Sequence, residues 1–131
     1  MKISVDTNIL VRAVVLDDAK QGEAAAKLLT DASLVAIALP CLCELVWVLR
    51  RLYGLKSADV SMAIRALLAA SNVAVNRPAV EAGLSMLDAG GDFADGAIAY
   101  EGKWLGGDAF VSFDKKAVAL LAGQGYAARL P

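Results

Sequence analysis

Histidine is absent from the sequence, and its absence excludes several common kinds of active site. Ser-His-Asp and Cys-His nucleophilic sites, and histidine-based general acid–base catalysis, all need an imidazole. The two cysteines, Cys41 and Cys43, are too few to form a zinc site by themselves, and the chain has no histidine to complete one. A C-x-C pair within a helix places its two thiols on different faces. We expect both cysteines to be small buried apolar side chains.

Long apolar runs are also missing. No run reaches about 18 residues without a break, so no transmembrane helix is expected. An acid at position 6 comes too early for a signal peptide. Apolar residues make up 58% of the chain and charged residues 21%, a composition that is typical of a well-packed globular protein. We therefore expect one domain spanning residues 1–131, soluble and cytoplasmic, without membrane association.

Short apolar runs alternate with helical patterns along the chain. Strands are expected at residues 3–5, 34–39, 72–75 and 109–113, with a short edge strand at 126–130. Helices are expected at residues 9–15, 19–30, 40–50, 57–70, 78–89, 92–104 and 115–121. This alternation predicts the α/β class, as a three-layer α/β/α sandwich around a mainly parallel sheet of four to five strands.

Five carboxylates are predicted at the carboxyl edge of this sheet. Asp6 follows the first strand and Asp114 follows the fourth, while Glu44 lies early in the helix after the second strand. The helix that begins at Asp92 leads into the fourth strand, so its own start must lie at the same edge. Asp95 comes three residues later and shares a helix face with Asp92. Ligands of open parallel sheets bind at this edge.

Each acid also has a purely structural interpretation. Asp6, Asp92 and Asp114 stand where helix N-caps are expected, and Asp95 suits the third position of a capping box. Glu44 differs because it lies past the capping positions of an otherwise apolar helix, where an unpaired charge would be costly. We therefore expect a positive group to meet Glu44, although no basic residue is placed nearby.

Carboxylates that converge without cationic partners repel one another. Two unit charges about 4 Å apart interact by roughly 4 kcal/mol at an effective dielectric near 20. Either some of them stay protonated, or a divalent cation holds them. Oxygen ligands without histidine or cysteine favour Mg²⁺ or Mn²⁺, and one or two such ions can promote phosphodiester hydrolysis. Outside the five acids, thirteen basic and nine acidic residues leave a net charge of +4, which suits a polyanionic substrate.

Four motifs, in this order, resemble the PIN-domain family, and within it the VapC-like toxin ribonucleases of type II toxin–antitoxin pairs. The motifs are Val5-Asp6-Thr7-Asn8, Glu44 in the helix after the second strand, Asp92-Phe93-Ala94-Asp95-Gly96-Ala97, and Ser112-Phe113-Asp114-Lys115. The resemblance covers nearly the whole chain. One departure is Gly96, which stands inside a helix where the family usually has alanine.

The resemblance implies an endoribonuclease with a Mg²⁺ or Mn²⁺ site. The principal acids carried over are Asp6, Glu44, Asp95 and Asp114, with Asp92 as an additional metal ligand. The supporting polar groups, which would orient carboxylates or water, are Thr7, Asn8 and Ser112. The resemblance also implies RNA as the substrate, a homodimer, and a cognate antitoxin protein that silences the enzyme.

Other residues are assigned to partners more loosely. Lys115 and Lys116 adjoin Asp114 and are candidate contacts for RNA phosphates, although solvated lysines are also ordinary on a helix. The apolar helices at residues 9–15 and 41–52 are candidates for a groove that binds an antitoxin helix. Trp47 and Trp104 are expected in the core or in a dimer interface rather than as platforms for nucleic-acid bases.

Two other functions are considered. A phosphatase of the haloacid dehalogenase kind uses a second aspartate two residues after its nucleophile, and here Asn8 stands in that place. A receiver-like, non-catalytic domain would carry an acid pair near its start, and the single Asp6 fits that pattern poorly. The sequence therefore favours the metal-dependent ribonuclease.

Overall fold

The computed structural model describes all 131 residues, which form two compact units, Met1–Asn76 and Arg77–Pro131. The first unit contains β1 (Lys2–Ser4), α1 (Thr7–Val15), α2 (Ala19–Asp31), β2 (Leu34–Ala36), α3 (Leu39–Arg51), α4 (Ser57–Ala69) and β3 (Val73–Ala74). The second unit contains α5 (Arg77–Asp88), α6 (Phe93–Trp104), β4 (Phe110–Val111), α7 (Lys115–Gly123) and β5 (Ala128–Arg129). None of these helices is long and apolar enough to cross a lipid bilayer.

Every strand pairing in the two units is parallel. In the first unit the strand order is β1-β2-β3, with Ile3 opposite Val35 and Val35 opposite Val73. In the second unit β4 pairs with β5, with Phe110 opposite Ala128. The expected α/β class with parallel strands is confirmed, and its five strands are distributed as three and two. The expectation of one domain over residues 1–131 stays a prediction.

The strands are shorter than the apolar runs that predicted them. The run at residues 34–39 gives a strand of only three residues, Leu34–Ala36, because Leu39 already belongs to α3. The N-terminal strand ends at Ser4. Ile3 within the strand is only partly buried, whereas Val5, which follows the strand, is buried. Apolar character continues past β2 because α3, which follows it, begins with apolar residues of its own.

Helices α1 and α3 pack against each other in the first unit. The buried side chains Leu10 and Val11 belong to α1, and Leu42, Leu45 and Leu49 belong to α3. These side chains are buried within the unit. A groove in the same unit is lined by residues of α1, α2 and α4, including Ala13 and Val14 of α1. The expectation that α1 and α3 offer a groove to a partner stays a prediction, and α1 contributes to this groove.

The two tryptophans lie on the surface rather than in the core. Trp47 is 55% exposed on α3, and Trp104 is 81% exposed at the end of α6. The expectation of a core position is wrong for both. In α3 the buried face is formed by leucines and Val46, and Trp47 falls outside that stripe.

Helices α5 and α6 make the closest helix contact of the second unit. Gly83 of α5 receives the ring of Phe93, and a Cβ atom at Gly83 would stand 2.6 Å from that ring. Gly96 of α6 lies against the backbone of α5, where an added Cβ would collide with the Ala82 carbonyl. Gly96 is therefore a packing requirement here, which explains why alanine is absent from this position despite its better helix propensity.

We expect Gly96→Ala to destabilise the protein by about 1–3 kcal/mol, because a methyl group forced against the α5 backbone outweighs the gain in helix propensity. Gly102→Ala is the matched control in the same helix, since nothing lies within 4 Å of a Cβ at Gly102. This control should stabilise the protein by roughly 0.5–1 kcal/mol. Urea unfolding of both variants measures the difference, and a Gly96→Ala protein as stable as Gly102→Ala would contradict this packing.

Candidate active site

Asp6 stands at the junction between β1 and α1. It has extended backbone angles and is the N-cap of α1, with its Oδ1 accepting a hydrogen bond of 2.7 Å from the Thr7 amide. The Asp6 side chain is exposed, whereas Thr7 beside it is buried. The capping role expected for Asp6 is therefore present, and it uses only one of the two carboxylate oxygens.

Cys41 ties this junction to the beginning of α3. The Thr7 hydroxyl Oγ1 donates to Cys41 Sγ at 3.5 Å, and Cys41 Sγ in turn donates to the Val5 carbonyl at 3.7 Å. Cys41 and Cys43 are only half-buried, and the Cys41 thiol takes part in hydrogen bonds, so the expectation of two small buried apolar side chains is wrong for Cys41 and only partly met by Cys43. These two bonds join residues that are 34 and 36 positions apart in the sequence. The only sequence signal for them is the parallel pairing of β1 with β2, which brings the two regions together.

The pKa of the Cys41 thiol also reflects the charges around it. Burial raises its pKa above the ordinary value; the Thr7 hydroxyl opposes that rise, and the negative charges of Asp6 and Glu44 add to it. Both acids are therefore within electrostatic reach of one thiol. The structure brings Asp6 and Glu44 to the same edge of the first unit, as the strand order predicts.

Glu44 is exposed, so the expectation that a positive group must meet it inside an apolar helix is wrong. The buried stripe of α3 consists of Leu42, Leu45, Val46 and Leu49, and Glu44 lies on another face of the helix. Trp47, three residues later, is exposed near it on that face. Because its carboxylate can remain hydrated, Glu44 needs no positive partner, and it forms no ion pair.

Three acids occupy the beginnings of two helices in the second unit. Asp92 is the N-cap of α6, with Oδ1 accepting from the Ala94 amide at 3.3 Å. Asp114 is the N-cap of α7, with Oδ1 accepting from the Ala117 amide at 3.0 Å. Asp95 lies in the first turn of α6. Each capping acid again keeps its second oxygen outside the capping bond.

The pKa of the Asp95 carboxyl is affected by both neighbouring acids, Asp92 and Asp114. Its pKa is raised by partial burial first, and then by the negative charges of Asp92 and Asp114. Asp95 makes no hydrogen bond and no ion pair that could offset this repulsion. The starts of α6 and α7 therefore meet at one acidic location in the second unit, as the direction of α6 predicts.

The side-chain hydroxyls of Thr7 and Ser112 contact thiol and backbone groups rather than carboxylates. Ser112 Oγ accepts a hydrogen bond of 3.0 Å from the Asp114 amide, which fixes the backbone that carries this acid. Thr7 binds Cys41 as described, and Asn8 is exposed. Lys115 and Lys116 are exposed in the first turn of α7, beside Asp114.

The donor set suits a hard divalent metal in chemistry, although no complete cage is preformed. All five acids offer oxygen, none is neutralised by an ion pair, and those of the second unit already repel one another. In neither unit are three or more acids or thiols arranged to hold a metal ion. Mg²⁺ usually keeps several waters and takes one or two carboxylates together with substrate phosphates, so a complete protein cage is not required.

A model of the PIN domain matches residues 3–120. The chain belongs to the PIN domain family. The match spans both units of this PIN domain protein and includes all five acids. PIN domains are generally nucleases and typically use divalent metal ions. Among curated proteins no match was found.

We expect Asp95→Asn to raise the melting temperature of the metal-free protein by roughly 1–4 °C at neutral pH. The Asp95 pKa is raised in the folded protein, so the ionised form, which predominates above that pKa, destabilises the fold. The advantage of the variant should therefore be absent below the ordinary aspartate pKa, grow as pH rises from that value to the raised pKa of Asp95, and level off above it. Thermal unfolding in EDTA across pH measures it.

Asp108→Asn is the control for this measurement, because Asp108 is exposed and lies outside the acidic location. It should leave the melting temperature nearly unchanged at every pH. A stabilisation that is equal for both variants, or that is greatest in acid, would show that repulsion at Asp95 is not its cause.

Proposed function

We propose that this PIN domain is a metal-dependent endoribonuclease that hydrolyses RNA phosphodiester bonds at a Mg²⁺ or Mn²⁺ centre. The observation that carries the proposal is the acidic location of Asp92, Asp95 and Asp114, where repulsion is left without any cationic partner. A protein that keeps such repulsion gains from binding a cation. Membership of a nuclease family favours this function over the phosphatase and receiver-like alternatives.

Asp6, Asp95 and Asp114 would hold the ion, with Asp92 as an additional ligand. The capping bonds of Asp6, Asp92 and Asp114 orient these carboxylates and leave one oxygen of each available. A divalent ion bound there polarises the phosphodiester and lowers the pKa of a water molecule. This assignment follows the resemblance of the four sequence motifs to the family.

The remaining residues are assigned by what they contact. Glu44 is exposed and without an ion pair, so its carboxylate would either complete the metal shell or accept a proton from the attacking water. Thr7 and Ser112 hold the backbone at Asp6 and Asp114, and exposed Asn8 would orient water. Lys115 and Lys116 would contact RNA phosphates.

We further propose that the protein is the toxin of a toxin–antitoxin pair. A groove of about 720 Å³ in the first unit supports this assignment, since apolar side chains from α1, α2 and α4 line most of it. An amphipathic antitoxin helix would place its apolar face there. Homodimer formation stays a prediction; the exposed apolar residues in and directly after α6, Ile98, Trp104 and Leu105, are of the kind that self-association buries.

RNA cleavage tests the nuclease directly. The purified protein should cut RNA with Mg²⁺ or Mn²⁺ and lose activity in excess EDTA. Asp6→Asn and Asp95→Asn should each reduce the rate at least about 100-fold, because each removes a charge that binds the metal. Asp108→Asn, an exposed acid outside the site, is the matched control and should keep the wild-type rate.

Metal binding has a second measure that does not depend on activity. Mn²⁺ should raise the melting temperature of the wild type, because a ligand that binds only the folded state stabilises it, and Asp95→Asn should respond much less. Equal cleavage by the wild type and the two asparagine variants, or cleavage that survives EDTA, would contradict the proposal.

The antitoxin assignment is tested at the groove. Ala66 is exposed and lines the groove, so Ala66→Arg should fill it without disturbing the core. Ala69→Arg is the control, because Ala69 is equally exposed in α4 and does not line the groove. Affinity for the product of the neighbouring small reading frame, measured by calorimetry, should fall at least about tenfold in Ala66→Arg alone. Unchanged affinity in both variants would place the antitoxin elsewhere.

A further inference from the structure

A cavity of about 530 Å³ lies in the second unit, where α6 and α7 end. Its volume is within the range of small-ligand pockets. Aromatic and amide groups form most of its wall, together with one charged side chain; the lining residues are Tyr100, Lys103, Trp104, Gln124, Gly125 and Tyr126. The cavity is distinct from the acidic location, because Asp92 and Asp95 lie at the beginning of α6, whose twelve residues separate its two ends by about 18 Å.

Three aromatic rings give this cavity flat apolar walls. Trp104 is 81% exposed, so the fold gains little from burying its ring. Tyr126 is half-buried and packs against the core of the second unit. Burial raises the pKa of Tyr126, and the Tyr100 phenol adds to that rise, so the two phenols are within electrostatic reach of each other. Rings grouped in this way can bind a further planar ring by stacking.

Lys103 gives the cavity a positive charge. Its ammonium group lies 5.9 Å from the centroid of the Tyr126 ring, and the side chain is exposed. Lys103 forms no ion pair, and no carboxylate lines the cavity. Its position in the last turn suits the dipole of α6, but neither the dipole nor the ring cancels a full positive charge. The cavity therefore favours an anion and disfavours a cation.

The backbone of residues 124–126 is fixed on one side of the cavity. The amides of Gln124, Gly125 and Tyr126 donate to carbonyls of the last turn of α7 at 3.0–3.1 Å. Gln124 Nε2 donates to the Ser85 carbonyl at 3.2 Å, which orients the amide and leaves its oxygen as an acceptor. Nothing lies within 4 Å of a Cβ atom at Gly125, so a ligand can approach this backbone closely. An ordered wall limits the entropy lost when a ligand binds.

We propose that this cavity is a second binding site of the protein, for a small planar aromatic molecule that carries an anionic group. The ring of the ligand would stack on Trp104 and the two tyrosines, and its anion would pair with Lys103. Nucleoside monophosphates and aromatic carboxylates share this chemistry. The site is independent of the proposed ribonuclease, since none of the five acids lines it.

Calorimetry in EDTA tests the site with AMP and with benzoate as probes, because without a divalent ion no phosphate is drawn to the acidic location. At least one of the two should bind, at one site per chain and with a Kd below about 1 mM. Adenosine and benzamide carry the same rings without the anion and should bind at least about tenfold more weakly, as should inorganic phosphate, which has no ring. Binding of AMP alone assigns a nucleotide, and binding of benzoate alone assigns an aromatic carboxylate.

Substitutions of exposed lining residues locate the two contacts without disturbing the core. Lys103→Met removes the charge and Trp104→Leu removes the ring, and each should weaken binding of the same probe at least about fivefold. Lys103→Arg keeps the charge and should retain the wild-type affinity within about threefold. Lys20→Met and Trp47→Leu are the controls, because they change exposed residues of the same types in the first unit, and they should bind as the wild type.

Tryptophan fluorescence gives a second measure of where the probe binds. The chain has two tryptophans, so Trp47→Phe leaves Trp104 as the only emitter. AMP or benzoate bound in the cavity should change this emission with the Kd found by calorimetry. Adding Asp95→Asn, which alters the acidic location alone, should leave that Kd unchanged.

Several results would overturn this site. They are the absence of binding by both AMP and benzoate, equal affinity for the uncharged analogues, and an affinity that is lost in Asp95→Asn but kept in Lys103→Met. A changed oligomeric state of Trp104→Leu in sedimentation, with unchanged probe affinity, would assign the ring to a contact between copies and overturn the site as well. None of these results depends on RNA cleavage, so the ribonuclease stands or falls separately.

Discussion

Helix capping by aspartate is the interaction on which the proposed site depends. Asp6, Asp92 and Asp114 each begin a helix, and each binds a first-turn amide through one carboxylate oxygen. The bond fixes the side chain at a strand-to-helix or loop-to-helix junction while leaving the other oxygen available. The positive end of the helix dipole also lowers the cost of placing a negative charge there. Structural and functional roles of these acids are therefore compatible, since different oxygens serve them.

Capping alone does not mark a site, as Asp18 shows. It caps α2 through a bond of 2.9 Å from the Gln21 amide, with the same chemistry as the other three. The acids of the second unit differ from Asp18 in the charged groups that surround them. Asp95 is partly buried between two further carboxylates and has no cation to offset them, whereas the exposed acids Asp17 and Asp31 pair with Arg12 and Lys27. Uncompensated repulsion, rather than the presence of acids, is the physical sign of a cation site.

The order of strands and helices could be predicted from the sequence, because apolar runs and breaking residues recur at short intervals. The proximity of acids within each unit also followed, since it needs only the direction of α6 and the parallel pairing of β1 with β2, whereas the convergence of all five acids at one edge stays a prediction. The end of β2 was less predictable, because the helix that follows it, α3, begins with apolar residues of its own. The sequence could not indicate which face of α3 is buried, and Glu44 was placed on the wrong one.

Contacts between residues far apart in sequence account for the remaining errors. Cys41 was expected to behave as a small apolar side chain, yet it links Val5 and Thr7 by weak hydrogen bonds that no local pattern encodes. Gly96 looked like a costly departure in a helix, and the approach of the α5 backbone explains it. A rule based on composition treats each residue separately, whereas the roles of Cys41 and Gly96 depend on pairs of elements that come into contact only in the folded protein.

Ser112, Phe113, Asp114 and Lys115 show how a short segment acquires several roles once its ends are fixed. Pairing with β5 and the cap of α7 determine the backbone, so consecutive side chains face different surroundings and need not compete for one. Ser112 secures the turn, Asp114 caps the helix, and Phe113 and Lys115 are left to solvent.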